Sequence, residues 1–485
     1  MNQDIRNLEP TKLWNNFSDL NAVPRGSKKE ERVIAFMVEF GKKLGLKTVV
    51  DPIQNVIIKK PATPGMENRK TIVLQSHLDM VHQKNSDTNF DFDKEGIKML
   101  IDGDWVKADG TTLGADNGLG VAAIMSILES GDIPHPSIEA LFTIDEETGM
   151  TGAMGLQAGY LDGEILLNLD TEEDDEIDIG CAGGIDVTAT KNYKEENYNG
   201  NCKAFHISVT GLKGGHSGMD IHRGFGNANK IMNRILMATQ DLIQISEIKG
   251  GSLRNAIPRE SFATVITSTE NAAKLIAKTQ EISQTIKEEF TEIEKNLEFS
   301  IDPLDCPNKM MSKEVQSQLL NAIGNAHNGV YKMSKEMSGL VEASNNIAKV
   351  NVKNGKIQVD CLTRSSVEES KMEVANLLKS AFEKEGFAVE FSGSYPGWQP
   401  NANSPILGVM ENLYKSIFDK KPDVVACHAG LECGILGTNY PDMDMISFGP
   451  TIKGAHSPDE RANIKSAQKF WKYLLEILKN IPVKE

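Results

Sequence analysis

Several features are missing from this chain of 485 residues, and each absence closes off a class of function. No apolar stretch approaches the roughly 20 residues that a membrane-spanning helix needs, so no membrane partner is expected. Basic residues are outnumbered: 52 Lys and Arg stand against 68 Asp and Glu, a formal net charge of −16. Binding a phosphate backbone requires the opposite balance, so no nucleic-acid partner is expected. Cysteine is sparse, and no two of the six (Cys181, Cys202, Cys306, Cys361, Cys427, Cys433) form a Cys-x-x-Cys pair. A zinc–thiolate site is therefore not expected, and thiols scattered through a large intracellular chain are expected to be free and mainly buried. The opening "MNQDIRNLEPTKLW" lacks the basic-then-apolar pattern of a secretion signal, so a cytoplasmic location is expected. What remains is an ordinary globular composition, 40% hydrophobic and 25% charged, in a chain too long for one core.

Residues 1–184 alternate helix-like and strand-like stretches. "EERVIAFMVEFGKKLG" and "GLGVAAIMSILES" have the marks of helices, whereas "NVIIKK", "KTIVLQS", "IEALFTI" and "EILLNL" read as buried strands. That alternation predicts an α/β layer with a mostly parallel central sheet, whose ligands gather beyond the carboxyl ends of the strands. From 185 to 394 the order changes to two successive β-α-β-β-α-β patterns, a repeat of topology rather than of residues. It predicts an α+β domain of two ferredoxin-like units in tandem. The Pro- and Asn-rich "SYPGWQPNANSP" then reads as a linker, and 395–485 supplies more helices and strands. The simplest architecture inserts 185–394 into a domain made of 1–184 and 395–485.

Polar residues collect where the predicted strands of that first domain end. "VLQSHLDM" places His77 and Asp79 past an apolar run, and "GTTLGADNGLG" sets Asp116 in a glycine-rich turn before a helix. "TIDEETG" adds Glu146 and Glu147, "LLNLDTEE" ends at Asp170, and "GPTIKGAHSPDE" carries His456 in a loop. Singly, each has a plain explanation as turn chemistry, a helix cap or a loop brace. Jointly, one topology aims five segments at one rim of one sheet. Two His and several carboxylates without Cys suit a pair of divalent ions, zinc foremost. A carboxylate bridging two metals about 3.5–4 Å apart needs a rigid turn, which Asp116 offers. The side-by-side Glu146 and Glu147 are the awkward feature, because strand neighbours point to opposite faces and paired carboxylates repel.

The segments "SHLDM", "GTTLGADNGLG", "DEETGMTGA", "NLDTEE" and "GAHSPDER" resemble the signatures of the co-catalytic zinc exopeptidases, a family of dipeptidases, aminoacylases and glutamate carboxypeptidases. The longer runs "KKPATPGMENRKTIVLQSHLDMV", "IGCAGG", "GLKGGHSGMDIHRG", "RNAIPRE" and "HAGLECGIL" resemble its aminoacyl-histidine dipeptidase branch, also called Xaa-His or β-alanyl-histidine dipeptidase. The likeness covers essentially the whole chain. It implies that Asp116 bridges two metal ions, that His77 and Asp170 complete one site, and that Glu147 and His456 complete the other. Zinc is the implied metal, with cobalt or manganese able to substitute. Asp79 is implied to orient His77, and Glu146 to act as general base toward the attacking water. The inserted domain is implied to be a lid, in which His216 and Asn255 stabilise the oxyanion and Arg364 holds the substrate carboxylate. His428 and Glu432 are candidates for lining the pocket of the free amino end. In smaller relatives the lid groups cross from a partner subunit, so a homodimer stays open. The implied activity is hydrolysis of Xaa-His and related, carnosine-like dipeptides. An N-acyl-amino-acid amidohydrolase and a broad cytosolic non-specific dipeptidase would use the same residues. A peptide-binding protein on an inactive scaffold is disfavoured because no implied ligand is missing. A dinuclear phosphoesterase is disfavoured because no basic phosphate cradle is present. The run "EEDDEID" after Asp170 reads as a solvated acidic rim.

Overall fold

The computed structural model describes residues 2–484. The chain divides into two compact units. One runs to Gly180 and resumes over Trp398–Ala426 and from Leu431; the other is Cys181–Gly397 with Cys427–Gly430. The crossings at 180/181 and 397/398 compare with the expected 184/185 and 394/395, whereas the Cys427–Gly430 excursion has no counterpart in the sequence reading. Hydrogen bonds account for it: the Ala182 amide donates to the carbonyls of Cys427 and Ala429, all inside the second unit.

The first unit is built on an eight-stranded sheet in the order Lys47–Val50, Val56–Lys60, Ile138–Thr143, Ile72–His77, Ile165–Asn168, Asp444–Ser447, Glu176–Cys181, Asp423–Cys427. Its centre is parallel, with His77 level with Thr143 and Gln75 level with Asn168, and Asp444–Ser447 extends that set. Antiparallel pairs flank it. Ile72–His77 and Ile138–Thr143 are buried along their whole length, which is why they read as mostly apolar runs rather than as alternation. The helix Ala115–Glu129 is buried on nearly every side, matching its uniformly apolar sequence. A smaller antiparallel sheet orders Ile452–Lys453, Arg461–Asn463, Trp105–Ala108 and Met99–Asp102, and so fixes both ends of the 454–460 loop.

The second unit is built on one antiparallel sheet of nine strands. Cys202–Thr210, Gln244–Gly250, Ser261–Ser268 and Glu298–Leu304, with helices Ala228–Thr239 and Ala272–Glu289, form one β-α-β-β-α-β unit in spatial order fourth, first, third, second. The other ferredoxin-like unit is nested, not in tandem as expected. Its first strand is Gly183–Asn192, and the first unit is spliced in before helix Lys313–Asn325, strands Val341–Lys353 and Lys356–Ser365, helix Glu368–Glu383 and strand Ala388–Tyr395. Gly183 pairs with Ser365 and Val187 with Cys361, so a strand far away in sequence completes the fold. Loop-closure entropy grows only slowly with length, which makes such a splice inexpensive. The two ferredoxin-like units meet where Ile248 pairs with Val352, and their helices share one apolar core.

The six cysteines are not all free thiols. Cys202 and Cys306 form a disulfide, their Cα atoms 6.5 Å apart. The register explains it: Ala204 pairs with Leu304, and two more residues along that ladder bring position 202 opposite position 306. Pairing across 104 residues leaves no local spacing signal in the sequence. Cys181, Cys361 and Cys433 are buried, and Cys427 is half-buried.

Candidate active site

Each parallel strand of the first unit hands a polar residue to its carboxyl edge. His77 is the last residue of its strand, and Asp170 lies two residues past Asn168. After Thr143 the chain leaves the sheet, Asp145 adopts a left-handed backbone (φ 53°), and Glu146–Gly149 makes one helical turn. Glu146 and Glu147 are therefore not strand neighbours. Their amides donate to the two oxygens of the Asp79 carboxylate at 3.1 and 3.2 Å, so Asp79 caps that turn from another segment. Ser27 Oγ adds a third hydrogen bond to Asp79, at 2.8 Å.

Asp116 stands at the centre. Its Oδ1 is 3.1 Å from His77 Nε2 and its Oδ2 is 3.1 Å from His456 Nε2. His77 Nε2 is also 3.6 Å from Asp170 Oδ1, and His456 Nε2 is 2.9 Å from Glu147 Oε2. Two triads result, His77–Asp116–Asp170 and Asp116–Glu147–His456, each with its ligand atoms within 4.8 Å of one another and sharing one carboxylate. On the far side of the His77 ring, Nδ1 is 3.4 Å from Asp79 Oδ1 and 3.2 Å from the Asp79 carbonyl, which turns Nε2 toward the cluster. His456 is held with a positive φ of 63°, a conformation few non-glycine residues adopt, at the exposed tip of its loop.

The electrostatics are those of a site short of positive charge. Burial pushes Asp170 up to about 6 and Glu172 up to about 8, with the Asp116 charge adding to both. Burial likewise raises Glu146 well above the usual range, aided by Asp170, Glu147 and Glu432. Against the cost of burial, His456 and His77 hydrogen bonds hold Asp116 well below the usual carboxylate range. His456, bonded to Asp116 and Glu147, is raised to about 11 by those two carboxylates. Two buried acceptors, Glu147 Oε1 and Asp170 Oδ1, have no hydrogen-bond partner. Imidazole and carboxylate donors with a shared carboxylate and orphaned oxygens fit two divalent ions.

Two side chains that the sequence reading passed over hold this site from behind. Glu460, four residues past His456, accepts the amides of Leu113, Gly114, Ala115 and Asp116 at 2.7, 2.9, 2.7 and 3.2 Å. Arg25, fully buried, donates to the carbonyls of Leu78, Asp79 and Gly114. The only signal for Glu460 was its place in "GAHSPDER", and for Arg25 there was none. Glu432 is fully buried in this unit, accepting from Gln75 Nε2 and Thr143 Oγ1 at 2.6 Å each. In the acidic run, Glu173 pairs with Lys453 and Asp174 with Lys469 at 2.5 Å, so part of the expected solvated rim is ion-paired.

The remaining candidates lie in the second unit. His216 pairs with Ala256 in a two-residue ladder, and the Ser217 amide donates to the Asn255 carbonyl at 2.8 Å, bringing His216 and Asn255 together. His216 Nδ1 accepts the amides of Gly218 and Met219 at 3.2 and 3.1 Å, which places the ring proton on Nε2. Arg364, buried, donates to Tyr395 Oη at 3.0 Å and to Ser217 Oγ at 3.4 Å. His428 Nε2 is 2.8 Å from Ser344 Oγ, and burial beside Arg364 drops the imidazole to about 3. Of the two candidates for the pocket of the free amino end, His428 belongs to the second unit and Glu432 to the first.

Residues 73–480 match the sequence model of peptidase family M20/M25/M40. The cytosol non-specific dipeptidase of Escherichia coli K12 is 42% identical over 483 residues, covering 99% of this chain and 100% of that protein. The crystal structure of aminoacylhistidine dipeptidase from Vibrio alginolyticus superposes with a TM-score of 0.91 at 44% identity, over 99% of each chain. Aminopeptidase PepT from Bacillus cereus, at 16% identity and a TM-score of 0.57 over 98% of this chain and 99% of its own, shares the fold.

Proposed function

The chain belongs to peptidase family M20/M25/M40, and from that membership we propose that it is a metal-dependent dipeptidase cleaving Xaa-His and related, carnosine-like dipeptides. The observation that carries the reading is the Asp116 carboxylate shared between two His–carboxylate triads, with Glu146 on the adjoining turn. His77, Asp116 and Asp170 would hold one ion and Asp116, Glu147 and His456 the other, zinc by donor type. Such a pair supplies Lewis acidity toward water and the peptide carbonyl. Glu146, kept basic by burial and neighbouring carboxylates, takes the proton of the attacking water and returns it to the leaving amine. Asp79 acts twice, orienting His77 through its ring Nδ1 and fixing the Glu146–Glu147 turn through two amides. By family likeness, His216 and Asn255 of the second unit are the candidates for stabilising the oxyanion. Arg364 is the candidate for the substrate carboxylate. The reading places the enzyme in the cytoplasm, supported by the name of the Escherichia coli relative; among the described residues no helix is long and apolar enough to cross a membrane.

A broader preference has a specific observation behind it, since the relative from Escherichia coli carries the name of a non-specific dipeptidase. The deciding experiment assays Xaa-His, carnosine-like, other dipeptide and N-acyl-amino-acid substrates on chelated and on metal-reconstituted protein. Turnover confined to substrates with a free α-amino group supports a dipeptidase, and the spread across C-terminal residues measures its breadth. Cleavage of acylated substrates alone would make it an amidohydrolase.

A further inference from the structure

A bridging carboxylate is useful only if its two oxygens stay fixed, and the side chain of Asp116 does not fix itself. It stands at the head of helix Ala115–Glu129 but has extended backbone angles (φ −81°, ψ 110°), so the helix does not lock it. Its turn is instead gripped from two sides. Glu460 Oε2 accepts the Leu113 and Gly114 amides and Oε1 accepts those of Ala115 and Asp116, so one carboxylate satisfies four consecutive N–H groups. Arg25 Nη2 donates to the Gly114 carbonyl at 2.5 Å, and its Nη1 donates to the Leu78 and Asp79 carbonyls at 3.1 and 3.0 Å. The glycines of the motif make room for this grip. A Cβ at Gly114, where φ is 70°, would come 2.5 Å from Arg25 Nη2, and one at Gly118 would come 2.7 Å from the same atom.

We propose that Glu460 and Arg25 are positioning residues that hold the Asp116 turn in register with the His77–Asp79 segment and the His456 loop, and thereby set the affinity of both metal positions together. The inference rests on the dinuclear reading above. Glu460 is four residues from His456, so it ties the second triad's histidine loop to the shared carboxylate. Arg25 ties the first triad's histidine segment to the same turn. Neither touches substrate or a reacting atom. Their action is exerted through Asp116, which distinguishes them from His456 or Asp170, each of which belongs to one triad alone.

The test is zinc binding to the full chain, by competition with a colorimetric chelator, with circular dichroism confirming the fold. Glu460→Gln keeps the shape but turns one acceptor into an NH₂ facing two N–H donors. Both zinc dissociation constants are expected to rise about 10–100-fold, the usual effect of losing a partner behind the ligands. His456→Ala, the control, should weaken one ion and spare the other. Arg25→Lys, which keeps charge and loses the fork, should again weaken both ions, and it decides the matter if Glu460→Gln does not fold. Native affinity in either folded variant, or loss of a single ion, overturns the clamp while leaving the enzyme reading intact. Failure of the wild-type chain to bind two zinc ions overturns the dinuclear reading, and the clamp with it.

Discussion

Glu146→Gln and Glu147→Gln form a pair of substitutions that differ by one position and should fail in different ways. Both side chains leave the same helical turn, and the contacts fixing that turn are backbone amides on Asp79, which neither substitution alters. Glu147 Oε2 lies 2.9 Å from His456 Nε2, and its buried Oε1 has no hydrogen-bond donor. An amide at 147 removes the negative charge and puts an N–H where an acceptor is needed. Affinity for one ion should fall at least about tenfold, and excess metal should restore part of the activity. The Glu146 carboxyl belongs to neither triad built on Asp116. Its amide should leave metal content near two per chain while turnover falls by about 10²–10⁴, the usual worth of a general base. That corresponds to about 3–5 kcal/mol of barrier, and added metal should return none of it. Metal analysis and steady-state kinetics on the two purified variants read both quantities. If Glu146→Gln loses an ion while Glu147→Gln keeps both, the roles are reversed and the assignment made by family likeness is wrong.

Other perturbations follow from the same geometry. Prolonged chelation should abolish activity, and zinc, cobalt or manganese should restore it; full turnover in metal-free protein would end the metallopeptidase reading. Asn255→Ala should lower kcat with metal content unchanged, as expected of an oxyanion donor, and a change confined to KM would assign it to substrate binding instead. Burial raises Asp178 from the usual 3.8 to about 7, so the folded chain binds that proton more tightly than the unfolded one. Its contribution to stability is complete below about pH 4 and is lost as pH rises through about 7, with a ceiling of about 4 kcal/mol. Asp178→Asn, which can still accept from Thr171, should flatten that stretch of the denaturation profile in metal-free protein, and an unchanged slope would rule Asp178 out as its source. Reducing Cys202–Cys306 should lower the unfolding midpoint by an amount equivalent to about 2–4 kcal/mol without changing metal content; free thiols at both positions in the native chain would remove the bridge.

The parallel sheet was readable because its central strands are buried on both faces and so appear as mostly apolar runs. Several of the candidate ligand positions stood out for a related reason. A polar residue soon after such a run emerges at the carboxyl edge, as His77, Glu146, Glu147 and Asp170 do, whereas Asp116 heads a helix and His456 sits in a loop. Local reading fails where a partner is distant. Gly183–Asn192 alternates as a strand should, but only its pairing with Lys356–Ser365 reveals that it opens the second ferredoxin-like unit. Cys202 and Cys306 become neighbours only through the same kind of register.

The Asp116 turn shows where the boundary between the two lies. Its glycines and its acid were visible as "GTTLGADNGLG", and a glycine-rich turn before a helix was expected there. What makes it rigid was not visible. Four amides in a row need an acceptor, and a buried guanidinium needs carbonyls; the sequence places those partners 344 and 89 residues away. A motif therefore records the space a contact requires, as Gly114 and Gly118 record the position of Arg25, before it records the contact itself. Glycines in a ligand-bearing turn are best read as the imprint of a side chain approaching from elsewhere, and the side chain to look for is one whose charge answers the backbone groups the turn leaves open.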